Sequence, residues 1–242
     1  MSMLSEAELR HERRRPTHAV IWDFNGTLVD DLDLVVWTVN RQLEKRGLPP
    51  MTPDTYREVF GFPVQDYYRR LGVTFEKETM ADLSEDFFRD YAPRLKDCLL
   101  HKGVPEELEK LTAMGIAQYV VSAMEEHMLR EMLAYFGIDQ IFEAAYGLAH
   151  QEGDSKVSRC RELLEDFAID PANALFVGDT DHDAEVANAL SIPVALVATG
   201  HQSAARLRAT GVGVFEDVAS CLDAHLGIEF QDPLPSHSPQ HP

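Results

Sequence analysis

Short apolar runs and helical patterns alternate along most of the chain. Ala19-Val20-Ile21-Trp22 is a continuous apolar run that ends at Asp23, a pattern typical of a buried parallel strand. Over residues 29–46 apolar side chains recur with helical spacing, and Gly47 ends the pattern. Residues 52–96 contain only helical patterns, which predicts an all-helical insertion.

Beyond residue 103 helices and strands alternate. The pattern predicts helices at 105–114, 125–135, 156–167, 183–190, 204–210 and 218–226, and strands at 117–121, 144–147, 174–177, 194–197 and 212–215. Such alternation predicts an α/β fold with a Rossmann-like, doubly wound parallel sheet. We therefore divide the chain into a leader (1–16), an α/β core (17–33 and 99–228), a helical cap (34–98) and a disordered tail (229–242).

Composition excludes several classes of function. The chain has 22 basic and 41 acidic residues and a net charge of −19, which argues against nucleic-acid binding and requires any phosphate site to be locally positive. No apolar run reaches the roughly 18 residues of a membrane span, and the polar start lacks a signal-like apolar segment. The three cysteines are too widely spaced for a zinc site or disulfide framework. These features predict a cytoplasmic protein.

Polar residues with matching chemistry follow four of the apolar runs. They are Asp23-Phe24-Asn25-Gly26-Thr27, then Ser122, then Lys156, then Gly178-Asp179-Thr180-Asp181-His182-Asp183. Carboxyl ends of parallel strands meet at one edge of a sheet, so these side chains are expected to converge.

Each residue type suits phosphoryl chemistry. Asp23 can attack phosphorus, and with Asp179 it offers hard oxygen ligands for Mg²⁺. Lys156 offsets the negative charge of nucleophile and substrate, and Gly26 permits close approach of the backbone to a phosphate. Ser122 and the N–H groups after it can donate to phosphate oxygens, and Ser122 is also expected to cap the following helix.

Four such motifs in this order resemble those of the haloacid dehalogenase superfamily, in its phosphoglycolate-phosphatase-like branch with a helical cap. The resemblance implies a hydrolase that acts on a small phosphomonoester, similar to phosphoglycolate, through an aspartyl-phosphate, with Mg²⁺ as cofactor. It assigns catalytic roles to Asp23, Asn25 and Lys156. It implies metal binding by Asp23, Asp179 and the backbone carbonyl of Asn25, with support from Asp183. Substrate binding falls to Gly26, Thr27, Ser122, Ala123 and Lys156. The expected partner is a small phosphorylated molecule, and the expected assembly is a monomer or homodimer.

Asn25 departs from the family pattern, which usually has Asp at this position. That Asp protonates the leaving group and then activates water, and such acid–base groups contribute about 10²–10⁴-fold. Four interpretations stay open: a slow phosphatase that favours acyl or aryl phosphates, a phosphate-binding or regulatory protein, a different reaction such as dehalogenation or phosphonate cleavage, and an engineered change from Asp. The first predicts that Asn25→Asp raises phosphate release at least about tenfold.

Overall fold

The structure is a computed structural model that describes residues 18–149 and 155–226. The predicted leader (1–16) and tail (229–242) lie outside these residues.

A six-stranded sheet in the order β5-β4-β1-β6-β7-β8 forms the centre of the fold, and every pairing in it is parallel. Its strands are β1 (Ala19–Trp22), β4 (Ala117–Glu125), β5 (Ala144–Leu148), β6 (Ala174–Gly178), β7 (Val194–Val197) and β8 (Gly213–Phe215). The strand order changes direction at β1, which lies between β4 and β6. The predicted α/β fold is confirmed.

Six helices of the described residues pack against this sheet: α5 (Val104–Ala113), α6 (Glu126–Tyr135), α7 (Lys156–Asp166), α8 (Asp181–Ala189), α9 (Ala204–Ala209) and α10 (Val218–Leu226). Four further helices precede them in the chain: α1 (Leu32–Lys45), α2 (Pro53–Val59), α3 (Val64–Arg70) and α4 (Met80–Tyr91). Side chains alternate along β1, so Val20 and Trp22 pack in one apolar cluster and Ile21 packs in the other. All three are fully buried.

The segment between β2 (Val29–Asp30) and β3 (Leu99–Leu100) is helical throughout, as predicted from its pattern. It contains α1 to α4 and a 3₁₀-helix at Ala92–Asp97. Buried Gln42 of α1 ties these helices together, since it donates to the carbonyl of Leu83 at 2.8 Å and accepts from the hydroxyl of Tyr68 at 2.5 Å. We refer to residues 34–98 as the cap, and its exact limits stay a prediction.

The first cap helix begins later than its apolar pattern suggests. Val29 and Asp30 form an antiparallel pair with Leu100 and Leu99, so α1 starts only at Leu32. This ladder places the two connections between core and cap side by side. The predicted start of this helix at residue 29 is therefore wrong, because the long-range pairing of Val29 overrides the helical spacing of the apolar residues around it.

The strand β4 also differs from its prediction, because it continues through Ser122 to Glu125. The carboxylate of Glu125 caps α6 by accepting from the backbone N–H groups of His127 and Met128, both at 2.9 Å. The prediction that Ser122 caps this helix is therefore wrong. The hydroxyl of Ser122 instead accepts from the N–H of Met124 at 3.1 Å.

None of the helices in the described ranges is long and apolar enough to cross a membrane.

Candidate active site

The sheet brings the two principal aspartates to one edge. Asp23 follows the last residue of β1, and Asp179 follows the last residue of β6. These strands are neighbours, with Trp22 paired to Val177. Both acids therefore leave the carboxyl edge of the sheet beside the reversal in strand order, where α/β folds form their binding crevices.

Three buried carboxylates and one ammonium group meet at this edge. Asp23, Asp179 and Asp183 each offer an oxygen within 4.8 Å of the others. The Nζ of Lys156, the first residue of α7, lies 2.5 Å from Oδ1 of Asp23 and 2.6 Å from Oδ1 of Asp183. The second oxygen of Asp183 accepts from the backbone N–H groups of Asp179 and Thr180, which fixes its position.

The balance of charge within this cluster is negative. Burial, together with the charges of Asp183 and Asp179, raises the pKa of Asp23 to about 8 even though Lys156 opposes the shift. Burial also raises the pKa of Asp179 to about 6. For Lys156, burial lowers the pKa, but the carboxylates of Asp183 and Asp23 outweigh burial and hold it above its usual value. One ammonium group thus faces three buried carboxyl groups.

A hard divalent cation fits this donor set. Buried carboxyl groups that lie this close stay ionised together only with compensating positive charge, and Lys156 supplies one positive charge for three of them. Oxygen ligands favour Mg²⁺ over softer metals. The described residues therefore fit the expected Mg²⁺, with Asp23 and Asp179 as candidate ligands and Asp183 behind them.

The carboxylate of Asp179 is held by a close-fitting cradle. The hydroxyl of Thr27 donates to Oδ1 at 3.0 Å, and the N–H of His201 donates to Oδ2 at 2.6 Å. A Cβ on Gly200 would lie 2.1 Å from Oδ2, and one on Gly26 would lie 2.4 Å from it. Gly26 also has a φ of +75°, so both its conformation and its surroundings require glycine.

The side chain of Asn25 belongs to a second polar network. Its Nδ2 donates to Oδ2 of Asp31 at 2.9 Å and to the hydroxyl of Tyr91 at 2.8 Å, and that hydroxyl donates to the same Asp31 oxygen at 2.6 Å. The other oxygen of Asp31 accepts from the N–H of Gly26 at 3.0 Å and lies 3.1 Å from Nε2 of His201. The carboxylate of Asp31 is fully buried, and the contacts from Asn25, Tyr91, Gly26 and His201 satisfy its two oxygens.

His201 compensates the charge of Asp31. Burial disfavours the protonated ring, but the carboxylate of Asp31, together with the charges of Asp179 and Asp23, outweighs burial and raises the pKa of His201 to about 9. Burial likewise opposes the charge of Asp31, yet His201 and the hydrogen bonds from Tyr91 and Asn25 lower its pKa. The ring of His201 also approaches the hydroxyl of Tyr56 in the cap at 3.3 Å. The network therefore joins the nucleophile loop, the loop after β7 and two cap helices.

A cavity of about 400 Å³ opens above the acidic cluster, between core and cap. Asp23, Lys156, Asp179 and Ser122 line its floor, and exposed Ala123 lies at its edge. Gly26 and Thr27 lie behind Asp179 and do not line the cavity, so contact of these two residues with substrate stays a prediction.

Sequence reasoning missed Asp31, Tyr91, Tyr56 and the buried position of His201. His201 was not among the predicted site residues, yet it is 6% exposed and contacts both polar networks. The sequence offered one signal for Asp31. Two adjacent acids, at positions 30 and 31, precede an apolar helix, and a single acid is enough to cap the start of a helix. The tyrosines offered none, because their spacing equally suits cap packing.

Comparison with known proteins agrees with the geometry. The model of the haloacid dehalogenase-like hydrolase family matches residues 20–197. A plasmid-encoded phosphoglycolate phosphatase of Cupriavidus necator is 30% identical, over 87% of this chain and 94% of the relative. The tyrosine-protein kinase PtkA of Mycobacterium tuberculosis is 28% identical, over 86% of this chain and 72% of the relative. A predicted phosphatase from Clostridium acetobutylicum shares the fold, with a TM-score of 0.76 and 20% identity over 88% of this chain and all of that structure. The chain belongs to the haloacid dehalogenase-like hydrolase family, in its phosphoglycolate-phosphatase-like branch.

Proposed function

We propose that this chain hydrolyses a small phosphomonoester with the help of Mg²⁺, that Asp23 forms an aspartyl-phosphate, and that turnover is slow. The observation that carries the proposal is the contact of Asp23 with Lys156 beside Asp179, on the floor of a cavity. The relatives' names supply 2-phosphoglycolate as one candidate substrate.

The contact of Lys156 with Asp23 supports their proposed roles as counter-charge and nucleophile. A carboxylate oxygen of Asp23 would attack phosphorus, and the bond from phosphorus to the ester oxygen would break. Lys156 is 4% exposed, so its charge acts on the transferred phosphoryl group with little screening by water. Ser122 lines the same floor and offers a hydroxyl for a phosphoryl oxygen.

A divalent ion would compensate the excess negative charge of the acidic cluster. Asp23 and Asp179 would hold it, with the carbonyl of Asn25 as a further candidate ligand. When bound, Mg²⁺ lets carboxylates and a phosphoryl group share one small space and polarises the phosphoryl oxygens. The cradle of Thr27, Gly200 and the His201 N–H would hold Asp179 in one orientation toward it.

Asn25 limits the second half of the reaction. An amide cannot donate a proton to the leaving oxygen or take one from the water that attacks the aspartyl-phosphate. The leaving oxygen would then take its proton from water, and hydrolysis of the aspartyl-phosphate would be the slower step. Substrates whose leaving groups need little protonation, such as aryl phosphate esters and acyl phosphates, are favoured.

A phosphate-binding protein with no turnover is the second candidate, and the same Asn25 favours it. Release of phosphate from acetyl phosphate with Mg²⁺ separates the two. We expect release that disappears on addition of EDTA and in Asp23→Asn. Binding of inorganic phosphate without release from acetyl phosphate would establish the second candidate instead.

A matched control is available within the cluster. Asp181 lies two residues from Asp179 but forms an ion pair with Arg206 at 2.9 Å and does not line the cavity. Asp181→Asn should therefore keep phosphate release, and loss of release in both Asp181→Asn and Asp23→Asn would point to a general effect on folding.

A further inference from the structure

The roof of the active-site cavity is built entirely from uncharged cap residues. Fourteen cap residues line it, and Ser84 is the one without an apolar or aromatic side chain. The aromatic members are Tyr56, Phe60, Phe62, Tyr67, Tyr68, Phe87, Phe88 and Tyr91. The charged side chains that line the cavity come from the floor and from the pair of Asp31 and His201 at its margin, where the His201 ring lies beside Tyr56 and Phe60.

The hydroxyl groups of these tyrosines have partners within the protein. Tyr67 donates to Sδ of Met51 at 3.6 Å, and Tyr68 donates to Gln42. Tyr91 donates to Asp31, and Tyr56 contacts His201. Their rings, rather than their hydroxyls, are therefore offered to a ligand, and the roof has few groups that could bind a polar leaving group.

The basic side chains of the cap are held elsewhere. Arg57 donates to the carbonyls of Gly200 and Thr199 at 2.8 and 2.9 Å, and Arg70 donates to the carbonyl of Val59 at 3.2 Å. Arg46 pairs with Glu78, and none of these arginines lines the cavity. A carboxylate on the leaving group would thus enter an apolar roof without a cationic partner from the described cap.

We infer that the site selects a phosphate ester whose leaving group is apolar and aromatic. This inference rests on the proposed function and names its substrate class. The phosphoryl group would lie on the floor against Asp23 and Lys156, and the organic group would lie against the aromatic roof. A cavity of about 400 Å³ accepts a ring and a short linker, because pockets of about 300–1,000 Å³ bury drug-sized ligands.

The inference is tested with pairs of phosphate esters. Within each pair the leaving groups have similar acidity, so a difference in rate does not arise from the strength of the bond that breaks. The first pair is 2-phenylethyl phosphate and ethyl phosphate. The second is phenyl phosphate and 4-carboxyphenyl phosphate, and 2-phosphoglycolate is the charged aliphatic comparator. We expect kcat/KM at least about tenfold higher for the phenylethyl ester than for the ethyl ester, since burial of part of a ring exceeds the free energy of a tenfold effect. Equal values, or a preference for 2-phosphoglycolate, would overturn the inference.

Two phenylalanines of equal exposure form a matched pair of variants. Phe88 and Phe167 are both 40% exposed, but Phe88 lines the cavity while Phe167 packs on Tyr119 away from it. Phe88→Arg should reduce the preference for the phenylethyl ester and raise kcat/KM for 4-carboxyphenyl phosphate. Phe167→Arg should change neither ratio. Identical ratios in both variants would contradict the assigned roof.

Binding of phosphonates separates failure of this inference from failure of the proposed function. Calorimetry with Mg²⁺ compares 2-phenylethylphosphonate with ethylphosphonate on the wild-type chain. If neither the esters nor acetyl phosphate releases phosphate, the proposed function fails. A phenylethylphosphonate affinity at least about tenfold higher would then still support the aromatic roof. Equal affinities would overturn the inference, whatever the enzyme's activity.

Discussion

The amide of Asn25 donates to the buried carboxylate of Asp31 at 2.9 Å. The residue that departs from the family pattern is therefore a hydrogen-bond donor that Asp31 requires. An Asp at this position would present an acceptor to an oxygen that already carries negative charge. The expectation from sequence, that Asn25→Asp simply restores an acid–base group, leaves out this partner.

The contact changes the expected effect of Asn25→Asp. We expect the free energy of unfolding in urea to fall by about 1–3 kcal/mol, because a buried hydrogen bond is replaced by two facing acceptors. The exchange Asn25→Asp with Asp31→Asn keeps one amide and one carboxylate in contact. We expect it to recover at least half of the lost stability and to release phosphate at least about tenfold faster than the wild type.

Two results would contradict this account of Asn25. One is an Asn25→Asp variant as stable as the wild type, which would show that Asp31 does not need the amide of Asn25. The other is an exchanged variant with no gain in rate. Asp23→Asn in the exchanged background serves as the control, since any gained activity must still depend on the nucleophile.

The ion pair between His201 and Asp31 gives stability a defined dependence on pH. The folded pKa of His201, about 9, lies above its ordinary value of 6.5, so its contribution is complete below pH 6.5 and is lost as pH rises through 9. The pKa of Asp31 lies below its ordinary value of 3.8, so its contribution is present above pH 3.8 and is lost as pH falls through the lower folded value. The pair stabilises the fold fully only between these limits.

Urea unfolding in EDTA at pH 6.5 and at pH 9 measures this loss in the metal-free protein. We expect the wild type to lose more stability across this interval than His201→Gln, which has no titrating ring. Parallel losses in the two proteins would show that His201 is not held protonated by Asp31.

Gly200 tests the cradle of Asp179. In Gly200→Ala the new methyl group would overlap Oδ2 of Asp179 and lie 2.6 Å from the carbonyl oxygen of Gly26, so the carboxylate must move. We expect Mg²⁺ affinity, measured by calorimetry, to fall about 10–100-fold, as for other changes behind metal ligands. Gly213→Ala is the control, because its methyl group would touch only the ring of Phe215, at 3.3 Å. Unchanged Mg²⁺ affinity in Gly200→Ala would contradict the proposal that Asp179 is a metal ligand.

The central sheet could be predicted from sequence because its strands are short apolar runs between clear helical patterns. Asp23 and Asp179 were predictable for the same reason, since each directly follows such a run and parallel strands end at one edge. The paired segments at Val29 and Leu100 were not, because two residues carry no periodicity and their pairing joins distant parts of the chain.

The second network escaped prediction for a related reason. Tyr91 lies 66 residues from Asn25 and His201 lies 170 from Asp31, so neither contact leaves a local pattern. The spacing of Tyr91 also has a simpler explanation, since it equally suits packing within the cap. Folding of the core brings His201 to Asp31, and packing of the cap on the core brings Tyr91 to the same carboxylate.

Trapping of the phosphoenzyme tests the central claim most directly. Since Asn25 should slow hydrolysis of the aspartyl-phosphate more than its formation, the intermediate should accumulate after mixing with acetyl phosphate and Mg²⁺. Borohydride reduces an aspartyl-phosphate to homoserine, which peptide mapping can locate. We expect homoserine at position 23 in the wild type with Mg²⁺, and none there with EDTA or in Asp23→Asn. Release of phosphate with no modification at position 23 would contradict the account.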